Sequence, residues 1–406
     1  MSDEVGALVL DIGSQSVRAG FAGEDTPKVD IPSYVAVPPI ESEKKVIVGT
    51  NITVPRDSYQ IESFLKDGMI DNFDHFENIV SHVIDTLVPN EKSHHPILIS
   101  EPVWNTKAKR DKITEVLFET FKAPAIYFAK NAVLTCFANG RHTGLVLDCG
   151  SIHSTAIPVY EGMVMTQATV RSPLGGDFLL KQCQKLLENY HIPLVPIYKV
   201  GSKEQVKEKD PARWTPKSTL PNVTDSYDEY MKKQLLTDFL ASVVQVSDDK
   251  YDQNQAESFP TVNYEFPTGF NMDFTYERFR IAENLFDPAI LPETKGNSML
   301  SMSHTVTSSI SLCDIDIRPS MYSNILVVGG LSSILGFGDR LQKDLNNKTP
   351  SSLRVKVNLP ASVAERRFSS WIGGSILGSL GTFQQLWISK QEYEENGKAI
   401  IDKKTQ

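Results

Sequence analysis

Two aspartates in this sequence stand where they could hold a hydrated divalent cation. Asp11 lies in the stretch Ala7–Ser14 and Asp148 in Gly144–Ser151, and in each an apolar run leads to aspartate, any residue, glycine and serine. Carboxylates suit hard cations such as Mg²⁺ and Ca²⁺. The glycine lets backbone approach a phosphate closely, while the following N–H groups and the hydroxyl can donate to its oxygens. The pattern predicts a phosphate and cation site built twice.

The elements that would position these aspartates are two matching β-hairpins. Each apolar run reads as a buried strand, and each continues into a second apolar segment that ends at a glycine turn, Arg18–Gly23 and Ile157–Gly162. Two such hairpins suggest a duplicated fold whose halves face each other across a nucleotide. A single copy would say little, because many ordinary hairpins share this pattern. A duplicated scaffold that has lost its ligand stays open as the alternative.

Composition limits the classes of function. The 406 residues can form two large domains, and 40% apolar and 22% charged residues are ordinary for a globular protein. A net charge of −9 argues against a protein that grips DNA or an anionic membrane. No apolar run approaches membrane-spanning length. Four cysteines without metal-ligand spacing predict reduced thiols of an intracellular protein.

Strands alternating with helices predict an α/β fold. Tyr34–Val37 and Val46–Val48 are strand-like, and Phe73–Leu87 has helical spacing of its apolar residues. Asn105 is the predicted N-cap of a helix that runs through Phe121. A helical stretch after Trp371 is expected to end near residue 387.

Five separated stretches resemble the actin superfamily closely. They are the first hairpin with its continuation Arg18–Pro27, Ser100–Arg110, the second hairpin, Cys313–Arg318 and Trp371–Tyr393. Phe137–Arg141, Gln245–Asp248 and Glu365–Trp371 resemble the nuclear actin-related proteins found in chromatin remodellers and histone acetyltransferase complexes. The resemblance implies two α/β lobes in four subdomains, with ATP and Mg²⁺ or Ca²⁺ in the cleft.

The resemblance also implies how the chain divides. The first lobe would hold residues 1–138 and 369–406, with a small outlying subdomain at about 31–64. The second would hold 139–368, with an outer subdomain at about 175–292. A Lys- and Pro-rich stretch at 202–228 within it reads as an inserted surface loop. Such a loop is either a solvated insertion or a protein-binding surface.

The family pattern implies a nucleotide site at eleven positions. Asp11 and Asp148 would contact the cation through its bound water. Arg18 would lie where actin has a phosphate-contacting lysine, and Arg367 would lie near the base. Lys232 and Lys233 fall only loosely at actin's adenine and ribose contacts. The implied cofactor-binding residues are Asp11, Gly13, Ser14, Gln15, Arg18, Asp148, Gly150, Ser151, Gly329, Gly330 and Arg367.

Departures from the pattern bear on hydrolysis. Actin's water-orienting glutamine is Asn131 here, and a nearby histidine is Thr155. A displacement of about 1 Å can cost about a hundredfold in rate, so hydrolysis is expected to be absent or very slow. Gln15 and Ile152 replace glycines beside the phosphates, which would weaken binding. An active ATPase with a nucleotide-driven cycle is the alternative, and a sugar or metabolite kinase is a weaker one.

A groove for a partner helix is implied on the far side of the lobes. Its residues are small or apolar, although some of them could instead be interior packing. They are Phe137, Ala138, Gly162, Met163, Leu377, Leu380, Thr382 and Leu386.

The nuclear class predicts the occupants of that groove and the cellular location. The expected ligand is an amphipathic helix of a remodeller or scaffold subunit that also carries monomeric actin. The altered outlying segment argues against filaments, histones stay open as partners, and direct DNA contact is not expected. Nuclear localisation follows from the resemblance alone, because no long basic run suggests an import signal.

Overall fold

The computed structural model describes residues 6–40, 42–89, 95–290 and 299–404. Residues 1–5, 41, 90–94, 291–298 and 405–406 of the predicted lobes therefore lie outside the described residues, and the predicted lobe boundaries stay predictions. The strands of the described part are β1 (Leu8–Ile12), β2 (Ser16–Phe21), β3 (Val29–Pro32), β4 (Tyr34–Val37), β5 (Gln60–Ser63), β6 (Leu65–Lys66), β7 (Met69–Ile70), β8 (Ile97–Glu101), β9 (Ala125–Lys130), β10 (Gly144–Cys149), β11 (Ser154–Tyr160), β12 (Met163–Val164), β13 (Val170–Ser172), β14 (Val200–Lys203), β15 (Trp214–Pro216), β16 (Val262–Glu265), β17 (Asn271–Phe274), β18 (Ile325–Val328), β19 (Val357–Asn358) and β20 (Ile388–Ser389).

The α-helices alternate with these strands along much of the chain. They are α1 (Phe73–Leu87), α2 (Lys107–Glu115), α3 (Asn131–Ala138), α4 (Gly176–Asn189), α5 (Asp225–Val243), α6 (Gln253–Ala256), α7 (Glu277–Glu283), α8 (Met302–Ser311), α9 (Arg318–Ser323), α10 (Phe337–Lys348), α11 (Val363–Ser379), α12 (Lys390–Asn396) and α13 (Ala399–Lys404). None of the described helices is both long and apolar enough to cross a bilayer.

Two mixed sheets with the same central layout organise the two halves of the chain. The first has the order β20-β9-β8-β1-β2-β3, and the second has β12-β11-β10-β18-β19 with β13 beside β11. In each, the strand that carries the aspartate pairs antiparallel with the next strand and parallel with a later one. The structure thus contains the repeated hairpin that the sequence predicts.

Each central strand is apolar because helices cover its sheet. Leu8, Val9 and Leu10 in β1 and Leu145, Val146 and Leu147 in β10 are all 1% exposed or less. Separate apolar clusters form around the two sheets. Asp11 and Asp148 follow these apolar runs near the strand ends, so each aspartate lies at the edge of the apolar core of its own sheet.

Helices α3 and α11 pack across each other between the sheets. Gly373 makes this possible, because a Cβ there would overlap the Leu134 carbonyl group of α3. Trp371 of α11 is fully buried and donates from Nε1 to the Val9 carbonyl oxygen at 3.1 Å. The predicted lobe boundary at 368/369 falls inside α11, so one continuous helix joins the two halves there.

Several predicted elements differ from the structure. Strand β4 and helix α1 have the predicted bounds, whereas the predicted strand Val46–Val48 is wrong, since only an isolated bridge between Ile47 and Ala36 forms there. The predicted N-cap Asn105 is also wrong: Thr106 caps α2, accepting from the Lys109 N–H. Asn105 instead donates to Glu101, four residues earlier at the end of β8, at 2.8 Å.

The two remaining corrections concern the ends of segments. The helix predicted to end near residue 387 stops at Ser379, and a 3₁₀ helix, Gly381–Leu386, follows. The stretch 202–228 is more than a surface loop, because β14 and β15 form a hairpin in it and Thr224 caps α5.

Candidate functional site

All eleven residues predicted to bind nucleotide line one cavity of about 870 Å³, which we call the central cavity. Asp11 reaches it from the end of β1 and Asp148 from the matching end of β10. Gly329 and Gly330 follow β18, and Arg367 lies on α11. The structure therefore brings together residues up to about 350 positions apart.

The turns after the two aspartates have the same internal geometry. The Gly13 N–H donates to the Ser16 carbonyl oxygen at 3.0 Å, and the Gly150 N–H donates to the His153 carbonyl oxygen at 3.0 Å. These two N–H groups close their turns, so contacts to a phosphate fall to the residues between them. Ser14 and Ser151 occupy that place in the two copies.

Asp11 is held by two donors at the edge of the central cavity. It is 5% exposed, and its carboxylate accepts from Arg18 Nη1 at 3.0 Å and from Ser100 Oγ at 2.6 Å. Asp11 and Arg18 are direct partners in the β1–β2 pairing, as Asp148 and Thr155 are in β10–β11. Arg18 thus supplies a fixed positive charge in the first hairpin where the second has a hydroxyl.

Asp148 has the opposite electrostatic setting. Burial and then the negative charge of Asp11 raise its pKa from 3.8 to about 6, although Arg18 acts in the other direction. When no cation is near, the ionised Asp148 side chain therefore lowers the stability of the folded protein. A divalent cation between the two aspartates would relieve that cost.

Glycines shape the side of the central cavity that follows β18, next to the second hairpin. Gly329 has a φ of +89°, and a Cβ there would overlap the Cys149 carbonyl group and lie 2.7 Å from Asp148 Oδ1. Gly330 differs, because nothing lies within 4 Å of its added Cβ. The backbone here is tightly packed on one side and open on the other, which suits a flat ring or a sugar.

Buried polar atoms that make no hydrogen bond within the protein point to a polar ligand. Among the described residues, five side chains that line the central cavity carry a buried nitrogen or oxygen with no hydrogen-bond partner. Such atoms are uncommon in native proteins and need a ligand or water to satisfy them. They are Ser16 Oγ, Arg18 Nε, Arg278 Nε, Ser333 Oγ and Ser370 Oγ.

The residues at the expected water-orienting positions also line the central cavity. The Asn131 side-chain oxygen accepts from the Ala132 N–H at 2.8 Å, so it is occupied at the start of its own helix. Thr155 is 3% exposed and lies in the middle of the second sheet. Ile152 also faces the cavity, beside the turn of the second hairpin.

One end of the central cavity was not predicted. It is mainly apolar, and the second half of α5 forms much of it. Ile334 and Leu335, which follow the predicted glycine pair, were the sequence signal for an apolar wall at this end. The unpredicted lining residues are Thr237, Leu240, Ala241, Val243, Val244, Gln245, Val262, Arg278, Ile334 and Leu335.

The loosely aligned lysines do not line the central cavity. Lys232 pairs with Asp228 at 2.8 Å, and Lys233 pairs with Asp177 at 2.8 Å. Asp177 itself lines the cavity and accepts from Ser151 Oγ at 2.8 Å. Lys233 therefore affects the site indirectly. It binds the Asp177 carboxylate, which accepts a hydrogen bond from Ser151, a residue predicted to contact phosphate.

Arg367 forms a link between distant parts of the chain at the cavity edge. Its Nη2 donates to Asp30 in β3 at 2.9 Å, and its guanidinium lies over the Phe368 ring, 5.3 Å from the centroid. Its side chain is 40% exposed, so it can reorient toward a base without a large desolvation cost.

The predicted partner groove is accessible along its length. Met163, Leu380 and Leu386 are 66%, 41% and 44% exposed, and the other five predicted groove residues are partly or fully exposed. Leu377 also packs against the cluster that contains Trp371. A second cavity borders α11 nearby and is lined in part by Ala138 and Ile376.

The residues present fit ATP with a divalent cation. Two facing carboxylates, a fixed guanidinium, unpaired buried donors and an open glycine backbone match a charged phosphate chain attached to a flat base. No group of three or more His, Cys, Asp or Glu suited to a metal was found in the described part of the chain. A cation here would thus depend on phosphate oxygens and water as well as the two aspartates.

Comparisons with known proteins agree with this architecture. A family model described as Actin matches residues 2–406. Proteins named Actin-related protein 4 from Arabidopsis thaliana, Oryza sativa subsp. indica and Yarrowia lipolytica are 38%, 37% and 36% identical to the chain. Each match covers 99% of this chain and 99%, 99% and 96% of those relatives, in that order. The predicted actin-like α/β fold is confirmed, and the chain belongs to the actin family.

Proposed function

We propose that this chain is a non-polymerising structural subunit of nuclear chromatin-modifying assemblies, and that a bound nucleotide holds its two halves together. We call this stabilising role of the nucleotide the brace. The observation that carries the nucleotide part is the convergence of eleven predicted residues, from both sheets, on one cavity with unpaired buried donors. ATP with Mg²⁺ or Ca²⁺ would join the two halves there. A ligand that binds only the folded state stabilises it by mass action, which is how the brace acts.

Hydrolysis of that ATP is absent or very slow in this proposal. Asn131 is one methylene shorter than glutamine, and its amide oxygen is already used by the Ala132 N–H. Thr155 has neither the reach nor the basicity of an imidazole. Without a group that orients the attacking water, positioning contributes little to the reaction.

The partner part of the proposal rests on the exposed groove and on the relatives named Actin-related protein 4. Its apolar residues suit an amphipathic helix laid along it, which we assign to a remodeller or scaffold subunit that also binds monomeric actin. The proposed site of action is the nucleus. Histones are a further candidate partner, and membranes, filaments and direct DNA contact have no place in the proposal.

The nucleotide part is tested with the purified chain. After incubation with Mg-ATP and removal of free nucleotide, the protein is denatured at intervals over hours and the released nucleotide is identified by chromatography. Intact ATP at about one per chain is expected throughout. ADP that accumulates with time would show an active ATPase instead, and no released nucleotide would contradict the brace.

A matched pair of variants gives the control. Gly330→Leu adds a side chain in the open part of the central cavity and should abolish ATP retention without a clash inside the protein. Gly381→Leu is the control, because Gly381 also begins a 3₁₀ helix, has nothing within 4 Å of its added Cβ and lies outside the cavity. Equal retention by both variants would place the nucleotide elsewhere.

The partner groove is tested with substitutions of exposed leucines. Leu380→Asp should weaken association with a remodeller-subunit helix and actin at least tenfold, since it puts a charge in an apolar contact. Leu312→Asp, at a residue 56% exposed outside the groove, should leave it unchanged. Loss of association in both variants, or in neither, would contradict the assignment of the groove.

A further inference from the structure

A buried arginine lies at the apolar end of the central cavity. Arg278, on α7, lines this end and is 6% exposed. Burial lowers the pKa of its guanidinium, and no carboxylate among the described residues raises that pKa again. A buried charge without a counter-ion is uncommon in proteins, because its desolvation is not compensated. Arg278 therefore points to an anion that is not part of the chain.

The hydrogen bonds of Arg278 leave one of its nitrogens unsatisfied. Nη1 donates to Gln245 Oε1 at 2.9 Å, and Nη2 donates to the Pro260 carbonyl oxygen at 2.8 Å. Nε is shielded from solvent and makes no hydrogen bond within the protein. Both acceptors are neutral, so neither of them cancels the positive charge. Arg278 thus keeps a free donor and a full charge beside the cavity.

Gln245 supplies a second donor at the same place. A guanidinium group can only donate, so the Gln245 amide must turn its oxygen toward Arg278 and its Nε2 away from that contact. Gln245 also lines the cavity and is partly buried, and among the described residues its side chain makes no other hydrogen bond. Two neighbouring donors and one positive charge match the two oxygens of a carboxylate.

The walls around these two donors are apolar. Leu240 and Ala241 of α5 line this end of the cavity together with Val262 of β16 and Ile334. Of the ten residues assigned above to this end, Arg278 is the only one that carries a charge. An apolar pocket in which a few polar groups converge is the usual form of a small-molecule site.

A bound nucleotide does not account for the charge of Arg278. Adenine and ribose are neutral, so they can accept a hydrogen bond from Nε but leave the buried charge without a counter-ion. The phosphates are anionic, but they are predicted at the turns that follow Asp11 and Asp148. Neither of these aspartates acts on the pKa of Arg278, as a nearby charge would. The apolar end of the cavity therefore requires an anion of its own.

We infer that the apolar end of the central cavity binds a small organic carboxylate with an apolar body, in addition to any nucleotide. The carboxylate oxygens accept from Arg278 Nε and Gln245 Nε2, and the apolar body packs against Leu240 and Val262. Charge-assisted hydrogen bonds are strong in a water-poor pocket, so the site distinguishes the acid from a neutral analogue of the same shape. The inference goes beyond the proposed function, because both donors are present in the nucleotide-free chain.

The first test compares acids with their amides on the nucleotide-free chain. 4-Phenylbutanoate and octanoate carry the carboxylate, whereas 4-phenylbutanamide and octanamide have nearly the same shapes without the charge. Affinities are measured by isothermal titration calorimetry at pH 7. We expect the wild type to bind at least one acid roughly tenfold to a hundredfold more tightly than its amide. Equal affinities within both pairs, or no binding of either acid, would overturn the inference.

A variant that fills the pocket locates the site. Ala241 is exposed on α5 and lines the cavity, so Ala241→Phe places a ring in this end and should abolish binding of the acid. Ala108→Phe is the matched control, at an exposed alanine of α2 that lies outside the cavity, and should bind as the wild type does. Equal binding by the two variants would place the acid elsewhere on the chain and overturn the inference.

Arg278→Gln separates recognition of the charge from a structural role of Arg278 between Gln245 and Pro260. The variant removes the charge and keeps an amide donor, so the preference for acid over amide should disappear. A folded variant that keeps the preference would show that Arg278 only joins these segments, and would overturn the inference. If Arg278→Gln does not fold by circular dichroism, the comparison of acid with amide and the Ala241→Phe variant decide the inference.

Discussion

At the scale of single residues, the two aspartates of the central cavity differ in their effect on the stability of the nucleotide-free fold. Asp11 is compensated by Arg18 and Ser100, whereas the pKa of Asp148 is raised to about 6 by burial and by Asp11. When a buried charge destabilises the nucleotide-free fold, a ligand that neutralises the charge removes that free-energy cost. This opposition between stability and function is typical of binding sites.

Replacing Asp148 should therefore have opposite effects with and without ligand. Asp148→Asn is expected to stabilise the nucleotide-free protein at pH 7 by about 3 kcal/mol, because it removes a charge on a group whose pKa is about 6 in the folded state and 3.8 otherwise. It should also abolish most of the increase in melting temperature that Mg-ATP gives the wild type. Thermal melts with and without Mg-ATP measure both effects.

The sign of the pH dependence follows from the same raised pKa. Between about pH 4 and 6 the folded Asp148 binds a proton that the unfolded chain does not, so the nucleotide-free wild type gains stability as pH falls through 6. Asp148→Asn should lack this gain. Asp314→Asn, at an exposed aspartate far from the cavity, is the control and should retain it. A wild type that loses stability across this range as steeply as the variant would contradict the raised pKa.

At the scale of elements, the crossing of α3 and α11 depends on one glycine. Gly373→Ala would force a methyl group into the Leu134 carbonyl, so the helices must separate. We expect a loss of at least about 3 kcal/mol in the free energy of unfolding, measured with urea. Gly381→Ala, where nothing lies within 4 Å, should change it by less than about 1 kcal/mol. Similar free energies of unfolding for the two variants would show that α3 and α11 can separate with little loss of stability.

The sequence predicted those elements whose signals are local. Helix α1 has a complete apolar stripe and an Asn72 cap, and β4 is apolar and β-branched, so their bounds were predicted correctly. The N-cap of α2 was missed because Asn105 and Thr106 both suit a cap. In the structure Asn105 donates to Glu101, four residues earlier at the end of β8, and Thr106 is the cap. Propensity alone cannot decide between two adjacent residues that both suit a cap.

The candidate site was predicted as far as its repeated motif extends. Both hairpins place their aspartates in the central cavity because strand, turn and charge are all written in eight residues. The wall formed by Leu240, Val262 and Leu335 was not predicted, since apolar residues at such positions look like ordinary core. The apolar contact between residues 34–63 and 197–231 was missed for another reason: Tyr227, whose hydroxyl donates to the Thr53 carbonyl oxygen, is 174 positions from it, and no periodicity relates them.

At the scale of the whole molecule, bound nucleotide and the contacts between the two halves must stabilise each other. Whatever free energy the contact between residues 34–63 and 197–231 adds to nucleotide binding, bound nucleotide adds the same free energy to that contact. The amides of Ser58, Ile61 and Asn222 report this contact directly, because each donates from one half of the chain to the other. Their hydrogen exchange requires the halves to separate or the chain to unfold.

Saturating Mg-ATP should slow exchange at these three amides at least tenfold, measured by hydrogen–deuterium exchange. Val88 and Ile192 are internal controls, since their amides donate within α1 to Ile84 and to Leu187 of α4. They should change less than the amides of Ser58, Ile61 and Asn222, because local opening within one half does not involve the central cavity. An equal slowing at all five amides would mean that nucleotide only stabilises the global fold. No slowing at Ser58, Ile61 and Asn222 in a chain that holds ATP would mean that the halves separate without releasing it.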